Sequence, residues 1–281
     1  MVRTVRIGLA QIEPGQGDVE GNAKKILRHV KRAQREKVDL LLTPELALIG
    51  YGCGDIFLDK VEENEEALQR ITEKVRGFYA IIGHVEEDEE GFLYNAAALV
   101  RDGKILGRYR KANLANYRLF DEWRYFKPGN VCPVFETGFG KIGITICEDL
   151  WHPEPARAMA FRGALLIACI SASPYDWGKE GLWDAFLRER VHDNLVFMAF
   201  ANQAGCQDGA TYWGGSKVLS PRGEILAEAR LVGEDFVAAD LDLGEVARVR
   251  RRDLRLRDVR RPILEELLRA YEEREDAGPQ R

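Results

Sequence analysis

The hydrophobic positions of the chain alternate between short continuous runs and helical stripes. The run VRIGLAQI at 5–12 predicts a strand, and in the following segment Ile26, Val30 and Ala33 recur at the spacing of one helical face. Acidic residues and a glycine separate two later apolar runs, as in a hairpin turn. The same rhythm predicts further strands at 38–44, 79–87, 93–101, 102–111, 141–147, 164–171, 196–203 and 235–243, helices at 62–76, 154–163 and 182–194, and a hairpin over 214–229.

This order of elements predicts an α/β protein with one domain. Strands and helices alternate in both halves of the chain, and no linker rich in Gly, Ser or Pro interrupts them. We expect a single domain over residues 1–268, made of two similar halves. Its Arg-rich tail, residues 245–268, becomes helix-like from 262, and we expect residues 269–281 to be disordered.

The composition is that of an ordinary globular protein, with 46% hydrophobic and 31% charged residues. The formal net charge of -5 offers no general attraction to nucleic acid or to an anionic membrane. No run approaches the roughly 18 apolar residues that a membrane span requires, and the N-terminus has no signal-peptide pattern. We therefore expect a cytoplasmic protein without nucleic-acid or membrane partners.

The five cysteines raise the question of which thiol, if any, is reactive. Their number is odd, and they form neither a CxxC pair nor a Cys/His cluster with metal-ligand spacing. The glycine pairs match neither the GxGxxG nor the Walker pattern, so we expect no metal and no cofactor. Cys147 stands apart because it ends the strand in GKIGITICEDLW, at the edge of the sheet where α/β proteins bind ligands.

A cysteine nucleophile needs a base and a cation, and other strand ends supply both. A free thiol is only a few per cent ionised at neutral pH. Glu45 follows the run LLLTP and is the candidate base, whereas Lys111 follows LGRYR and would hold the thiolate and the anionic intermediate. Glu122, in FDEWRYFKPG, would orient the lysine or position the attacking water. With an ammonium and a carboxylate beside the sulfur, we expect the thiolate of Cys147 to be favoured.

Other roles for these residues stay open at this stage. Glu45 could merely favour the start of a helix, and Glu122 could be solvated together with the adjacent Asp121. A Cys-His hydrolase would be the alternative only if His152, five positions after Cys147, pointed at the sulfur.

Three separated motifs carry a resemblance to a known family. TPEL, then YRKANL with FDEWRYFKPG, then GITICEDLW resemble in this order the Glu-Lys-Cys signature of the nitrilase superfamily of carbon–nitrogen hydrolases. The resemblance covers nearly the whole chain, from Val5 to about Leu268. The stretches NYRLFDEWRYF, CEDLW and SASPYDWGK look like one branch of that family, the glutaminase domain of glutamine-dependent NAD synthetase.

The resemblance implies a four-layer αββα sandwich that acts as an amidase on a small amide. The favoured substrate is glutamine-like and forms a thioester with the cysteine while ammonia leaves. The resemblance further implies that Tyr51, Tyr117, Glu148 and Ser173 contact this substrate. An N-carbamoyl amine (a ureido acid) or a nitrile remains an alternative substrate, because the attacking chemistry is the same.

The resemblance also implies protein partners. Members of the family usually form dimers or larger homo-oligomers, and the tail 245–268 could lie at such an interface. No ATP pyrophosphatase loop of the SGGxDS type follows in the sequence. If the ammonia has an acceptor, we expect it to be a separate synthetase subunit.

Overall fold

Residues 4–176 and 179–276, which a computed structural model describes, form two six-stranded sheets and one two-stranded ribbon. The strands in chain order are β1 (Thr4–Gln11), β2 (Leu40–Leu42), β3 (Tyr79–Glu87), β4 (Leu93–Arg101), β5 (Lys104–Arg110), β6 (Val134–Thr137), β7 (Gly140–Ile146), β8 (Leu166–Ser171), β9 (Phe197–Asn202), β10 (Ala204–Gln207), β11 (Ala210–Trp213), β12 (Lys217–Leu219), β13 (Ile225–Glu228) and β14 (Asp235–Asp242).

The two large sheets are built on the same plan. The first has the order β14-β1-β2-β3-β4-β5 and the second the order β13-β12-β9-β8-β7-β6. In each sheet three central strands run parallel, β1 to β3 in one and β7 to β9 in the other, and antiparallel strands flank them on both sides. The repeated rhythm of the sequence thus corresponds to two similar halves.

Helices cover the outer faces of the sheets. Asp18 caps the N-terminus of the first helix, because its carboxylate accepts a 3.0 Å hydrogen bond from the N–H of Gly21. The helices are α1 (Val19–Arg35), α2 (Ile56–Asp59), α3 (Val61–Thr72), α4 (Pro153–Phe161), α5 (Lys179–Asn194), α6 (Gly244–Arg252) and α7 (Arg261–Asp276), with short 3-10 turns at Glu122–Arg124 and Cys147–Leu150.

The hydrophobic core has an inner and an outer part. Leu9 and Leu99 of the first sheet pack with Ile144 of the second sheet in one cluster between the sheets. A second cluster joins the first sheet to α1 and α3, for example through Ile26 and Leu68. Helices α4 and α5 cover the second sheet. The predicted four-layer αββα sandwich is confirmed.

Parts of the element assignment differ from the sequence-based expectation. The strand expected at 38–44 is shorter, and the edge strand β6 and the ribbon β10–β11 were not predicted. Residues 269–276, for which we expected disorder, continue α7, and residues 277–281 lie outside the described part of the chain. Helix-supporting ion pairs along α7, such as Arg261 with Glu265 at 2.6 Å, are consistent with this extension.

In the described part of the chain, no helix combines the length and the apolar character needed to cross a lipid bilayer.

Candidate active site

Lys111 lies at the centre of a buried ionic cluster. Its Nζ is 2.6 Å from Oε1 of Glu45 and 2.7 Å from Oε1 of Glu122. Lys111 and Glu45 are fully buried, and only 4% of the Glu122 side chain is exposed. Glu45 comes from the loop after β2, Lys111 directly follows β5, and Glu122 begins a 3-10 turn. Three predicted positions from separate segments therefore meet, and the solvated alternative for Glu122 is wrong.

Cys147 occupies a tight turn directly after β7. Its φ of +44° lies in the left-handed region, which a residue with a Cβ adopts only with strain. Asp149 supports the turn, because its Oδ2 accepts a 3.0 Å hydrogen bond from the N–H of Ile146. The side chain of Cys147 is buried, and the residue lies, as predicted, at the end of a strand.

Burial disfavours the thiolate of Cys147. It raises the pKa of the Cys147 thiol well above its usual value, and Glu45 raises that pKa further. The ammonium of Lys111 lowers the pKa but does not outweigh burial. The expectation of a favoured thiolate is therefore wrong for the resting site. Reaction at this sulfur requires a base that accepts the proton.

The same carboxylates keep Lys111 charged. Burial disfavours its ammonium, but Glu122 and Glu45 together hold the pKa of Lys111 well above its usual value. A fixed ammonium in a buried site can stabilise a negative charge that develops on a neighbouring atom.

Two further side chains complete the polar surroundings of this cluster. Nδ2 of Asn95, on β4, lies 2.8 Å from Oε1 of Glu45 and 3.5 Å from Oε1 of Glu122. The hydroxyl of Tyr51 donates a 2.5 Å hydrogen bond to Oε1 of Glu122. Sequence reasoning missed Asn95, and it assigned Tyr51 to the substrate, whereas in the structure the hydroxyl of Tyr51 binds a carboxylate of the cluster.

Of the other residues expected to contact a substrate, Tyr117 and Glu148 are electrostatic neighbours of Cys147. The Tyr117 hydroxyl donates a 2.9 Å hydrogen bond to Oε2 of Glu148, the residue after the cysteine. Oγ of Ser173 accepts a 2.8 Å hydrogen bond from Nε1 of Trp183 on α5.

A lysine that sequence reasoning missed joins this side of the site. Lys179, at the start of α5, is largely buried, and burial lowers the pKa of its ammonium. Cys147 and Glu148 act in the opposite direction and are therefore its electrostatic neighbours. The site thus offers a carboxylate and an ammonium near the sulfur. Trp177 and Gly178 of the SASPYDWGK motif lie outside the described residues.

His152 is exposed just before α4, whereas Cys147 is buried, so the condition for a Cys-His pair is not met. Across residues 4–176 and 179–276, no three or more His, Cys, Asp or Glu side chains are grouped so that they could hold a metal ion.

A cavity of about 560 Å³ borders the cluster on the side of Glu122 and Tyr51. Much of its wall is aromatic or acidic, with Phe57, Tyr125, Tyr175, Asp121 and Asp208 among the lining residues. A volume of this order is typical of a small-molecule site.

The four-layer fold, with Cys147 directly after β7, matches the class of hydrolase that the sequence resembles. The carbon–nitrogen hydrolase family model matches residues 6–251, and the chain belongs to this family. It is an enzyme that acts on carbon–nitrogen bonds, and the resemblance to the nitrilase superfamily is confirmed.

Individual relatives agree with this assignment. The glutamine-dependent NAD(+) synthetase of Thermotoga maritima is 42% identical over 254 residues, which are 88% of this chain and 44% of that protein. The chain thus spans less than half of the length of this relative. A carbon–nitrogen hydrolase from Helicobacter pylori G27 has a similar structure, with a TM-score of 0.87, 26% identity, and coverage of 95% of this chain and 99% of that one.

A mutant amidase from Nesterenkonia sp. AN1 is similar as well, with a TM-score of 0.79, 27% identity, and coverage of 93% of this chain and 95% of that one. Its structure shows covalent addition of the acetamide moiety of fluoroacetamide at the active-site cysteine.

Proposed function

We propose that the protein hydrolyses glutamine or a similar small amide through a thioester on Cys147 and releases ammonia. The observation that carries this proposal is the buried Lys111, bound by Glu45 and Glu122 next to the sulfur. A nucleophile, a carboxylate base and a fixed cation are the groups that attack on an amide requires. The covalent adduct on the cysteine of the Nesterenkonia amidase supports the same role for Cys147.

In the first half of the reaction, the sulfur attacks the amide carbon. Glu45 takes the thiol proton as the S–C bond forms, which removes the need for a stable thiolate at a raised pKa. The ammonium of Lys111 and a backbone N–H near Glu148 stabilise the negative oxygen of the tetrahedral intermediate. Glu45 then returns the proton to the nitrogen, and the C–N bond breaks. Ammonia leaves, and the acyl group stays on Cys147 as a thioester.

In the second half, water attacks the thioester. Glu45 takes a proton from the water as the new C–O bond forms, and the C–S bond breaks. The sulfur regains a proton, and the carboxylic acid leaves. Glu122 contributes by holding Lys111 in place through the 2.7 Å ion pair.

The charges near the sulfur favour an α-amino acid amide. Glu148, with Tyr117 beside it, would bind the ammonium of glutamine, and Lys179 would bind its carboxylate. Ser173 would contribute a hydroxyl. A simple alkyl nitrile offers neither charge, so these groups would be buried without a partner when it binds.

Ammonia release from a panel of amides, ureido acids and nitriles tests the proposal. We expect glutamine to be the best substrate and Cys147→Ala to abolish turnover. Mass spectrometry of a rapidly quenched reaction should show the acyl group on Cys147. Cys169→Ala is the matched control, because Cys169 is also a buried free cysteine but lies within β8 and has no exposed surface.

Unchanged ammonia release by Cys147→Ala, with the variant folded as judged by circular dichroism, would refute the nucleophile. If a ureido acid or a nitrile is turned over faster than every amide, the proposed substrate class is wrong, whereas the role of Cys147 as nucleophile stands.

We also propose that the ammonia serves an NAD synthetase. The relative from Thermotoga maritima is named a glutamine-dependent NAD(+) synthetase, and the similarity covers 88% of this chain. The test is to mix the protein with an ammonia-dependent NAD synthetase and supply amide-¹⁵N glutamine in unlabelled ammonium buffer. Preferential ¹⁵N incorporation into NAD would indicate direct transfer. Incorporation in proportion to the bulk ammonium would exclude it.

We further propose that a homo-oligomer covers the C-terminal tail. Every described side chain of α7 is exposed, including an apolar stripe in which Ile263, Leu264, Leu267, Leu268 and Tyr271 are 42–60% exposed. Helices of this length are marginal alone in water, so a second surface would stabilise this one. Light scattering should give a multiple of 31.8 kDa, and Leu267→Glu should reduce it, unlike Glu273→Gln. A monomeric protein would contradict the proposal.

A further inference from the structure

Asn95 is buried in the ionic cluster and contacts both carboxylates. Its side chain is fully buried, and its Nδ2 donates to Oε1 of Glu45 at 2.8 Å and lies 3.5 Å from Oε1 of Glu122. We propose that Asn95 is a positioning residue that occupies Oε1 of Glu45 and so directs the proton of the Cys147 thiol to Oε2. This inference rests on the proposed function, in which Glu45 is the base.

The donors around Glu45 are distributed unequally between its two oxygens. Oε1 accepts hydrogen bonds from Nζ of Lys111 at 2.6 Å and from Nδ2 of Asn95 at 2.8 Å. Oε2 accepts a 2.8 Å hydrogen bond from the N–H of Ala172. Since each carboxylate oxygen has two lone pairs, Oε1 is saturated by these two donors and Oε2 keeps one lone pair available.

Oε2 is therefore the oxygen of Glu45 that can accept a further proton. Its donor Ala172 directly follows Ser171, the last residue of β8, and Glu45 is an electrostatic neighbour of the Cys147 thiol. We expect a proton that leaves Sγ to be accepted by Oε2. The S–H bond breaks, the proton joins Oε2, and the sulfur keeps the electron pair for attack on the amide carbon.

The orientation of the Asn95 amide follows from its neighbours. With carboxylate oxygens on two sides, the NH₂ group must face them, because an amide oxygen in that position would be repelled. Its Oδ1 is buried and has no hydrogen-bond partner among the described residues. An unsatisfied carbonyl oxygen lowers stability, a cost that Asn95 shares with Asn64.

The test compares Asn95→Asp and Asn95→Ser with the control Asn64→Ser. Asn64 on α3 is also fully buried, donates its Nδ2 to a single acceptor, the carbonyl of Val85 at 2.9 Å, and has an unpartnered Oδ1. It matches Asn95 in burial and bonding but contacts no residue of the cluster. For each variant, kcat and KM for glutamine are measured against pH, with thermal unfolding to establish that it is folded.

We expect Asn95→Ser to lower kcat by about 100-fold with little change in KM, because a misplaced base slows the chemical step without weakening binding. In Asn95→Asp a third carboxyl joins Glu45 and Glu122, so the acidic limb of the pH profile should move to higher pH. Asn64→Ser should leave both the profile and kcat per folded molecule unchanged.

Alkylation of Cys147 by iodoacetamide provides a readout that needs no turnover. Its pH dependence should change in both Asn95 variants and not in Asn64→Ser. If folded Asn95 variants keep the wild-type pH dependence of kcat and of alkylation, the positioning role is wrong even though hydrolysis stands. If Cys147→Ala still releases ammonia, the proposed function itself has failed.

Discussion

The carboxylate of Asp149 accepts a 2.7 Å hydrogen bond from the hydroxyl of Tyr109, which joins the turn that carries Cys147 to β5, the edge strand of the other large sheet. Its Oδ1 accepts the backbone N–H groups of Ala112 at 3.0 Å and Asn113 at 2.7 Å. The loop directly after Lys111 is therefore fixed to the turn that carries Cys147. The buried side chain of Asp149 thus holds Lys111 and Cys147 in a fixed relative position.

Asp149→Asn should impair both stability and turnover. Both oxygens of Asp149 accept hydrogen bonds, so the NH₂ group of an asparagine would point at other donors. Buried donors left without an acceptor cost about 1–3 kcal/mol each. We expect a loss of at least about 2 kcal/mol in the free energy of unfolding, measured with urea, together with reduced kcat. The exposed Asp258→Asn is the control and should change neither quantity. Wild-type stability of Asp149→Asn would contradict the role described.

Gly83→Ala should displace Glu45, the proposed base. A Cβ at Gly83, on β3, would collide with the carbonyl oxygen of Pro44 and the backbone N of Leu46, which flank Glu45. Because backbone atoms cannot rotate away, the turn must shift, and we expect kcat/KM for the amide to fall by about 100-fold. Gly181→Ala on α5 is the control, since nothing lies within 4 Å of its added Cβ. Equal activity of the two variants would show that the close approach of Gly83 to the backbone around Glu45 does not affect catalysis.

The protein should lose stability in mild acid because of a buried histidine. Burial lowers the pKa of His84 from 6.5 to about 4. Between these values the unfolded chain binds a proton that the folded one does not, so this contribution to stability is complete above pH 6.5, decreases as the pH falls from 6.5 to 4, and is lost below pH 4. The full contribution is about 3 kcal/mol, at about 1.4 kcal/mol per pKa unit.

Replacing His84 by Leu should flatten this part of the pH profile of unfolding, measured with urea at several pH values. His152→Leu is the control because His152 is exposed. An unchanged slope between pH 6.5 and 4 in His84→Leu would show that other groups cause the loss.

Glu148→Gln should change substrate preference more than the chemistry. If this carboxylate binds the α-ammonium, its loss raises KM for glutamine by about 10-fold or more, since each 1.4 kcal/mol of lost binding is tenfold. KM for an amide without an amino group should change little. The ratio of kcat/KM for glutamine and for propionamide measures this, and Glu180→Gln provides a control at the start of α5. Equal losses for both substrates would indicate a general effect on Cys147 instead.

The positions of Glu45, Lys111 and Cys147 could be predicted because each stands at or just after the end of a predicted strand, and strand ends meet at one edge of a sheet. The role of Asn95 could not be predicted, because it lies within a strand of mostly apolar residues and no pattern distinguishes it from its neighbours. Asp149 was hidden for a different reason: its importance lies in contacts with residues about 40 positions earlier, which no local pattern reveals.

The electrostatic state of the site was also beyond sequence reasoning. Whether the thiol of Cys147 is charged depends on how far burial outweighs Lys111, and burial is a property of the folded chain. For the tail, the boundary of disorder was placed too early because chain termini are often disordered, although Arg and Glu are good helix formers and α7 continues to Asp276.

The left-handed backbone of Cys147 has a consequence for the evolution of this protein. At a φ of +44° glycine is the residue that fits without strain, so Cys147→Gly would relieve the backbone strain and remove the thiol that we propose as the nucleophile. Under the proposed function, selection for catalysis keeps a strained residue at this position. In stabilised variants chosen without an activity screen, we expect glycine to replace Cys147.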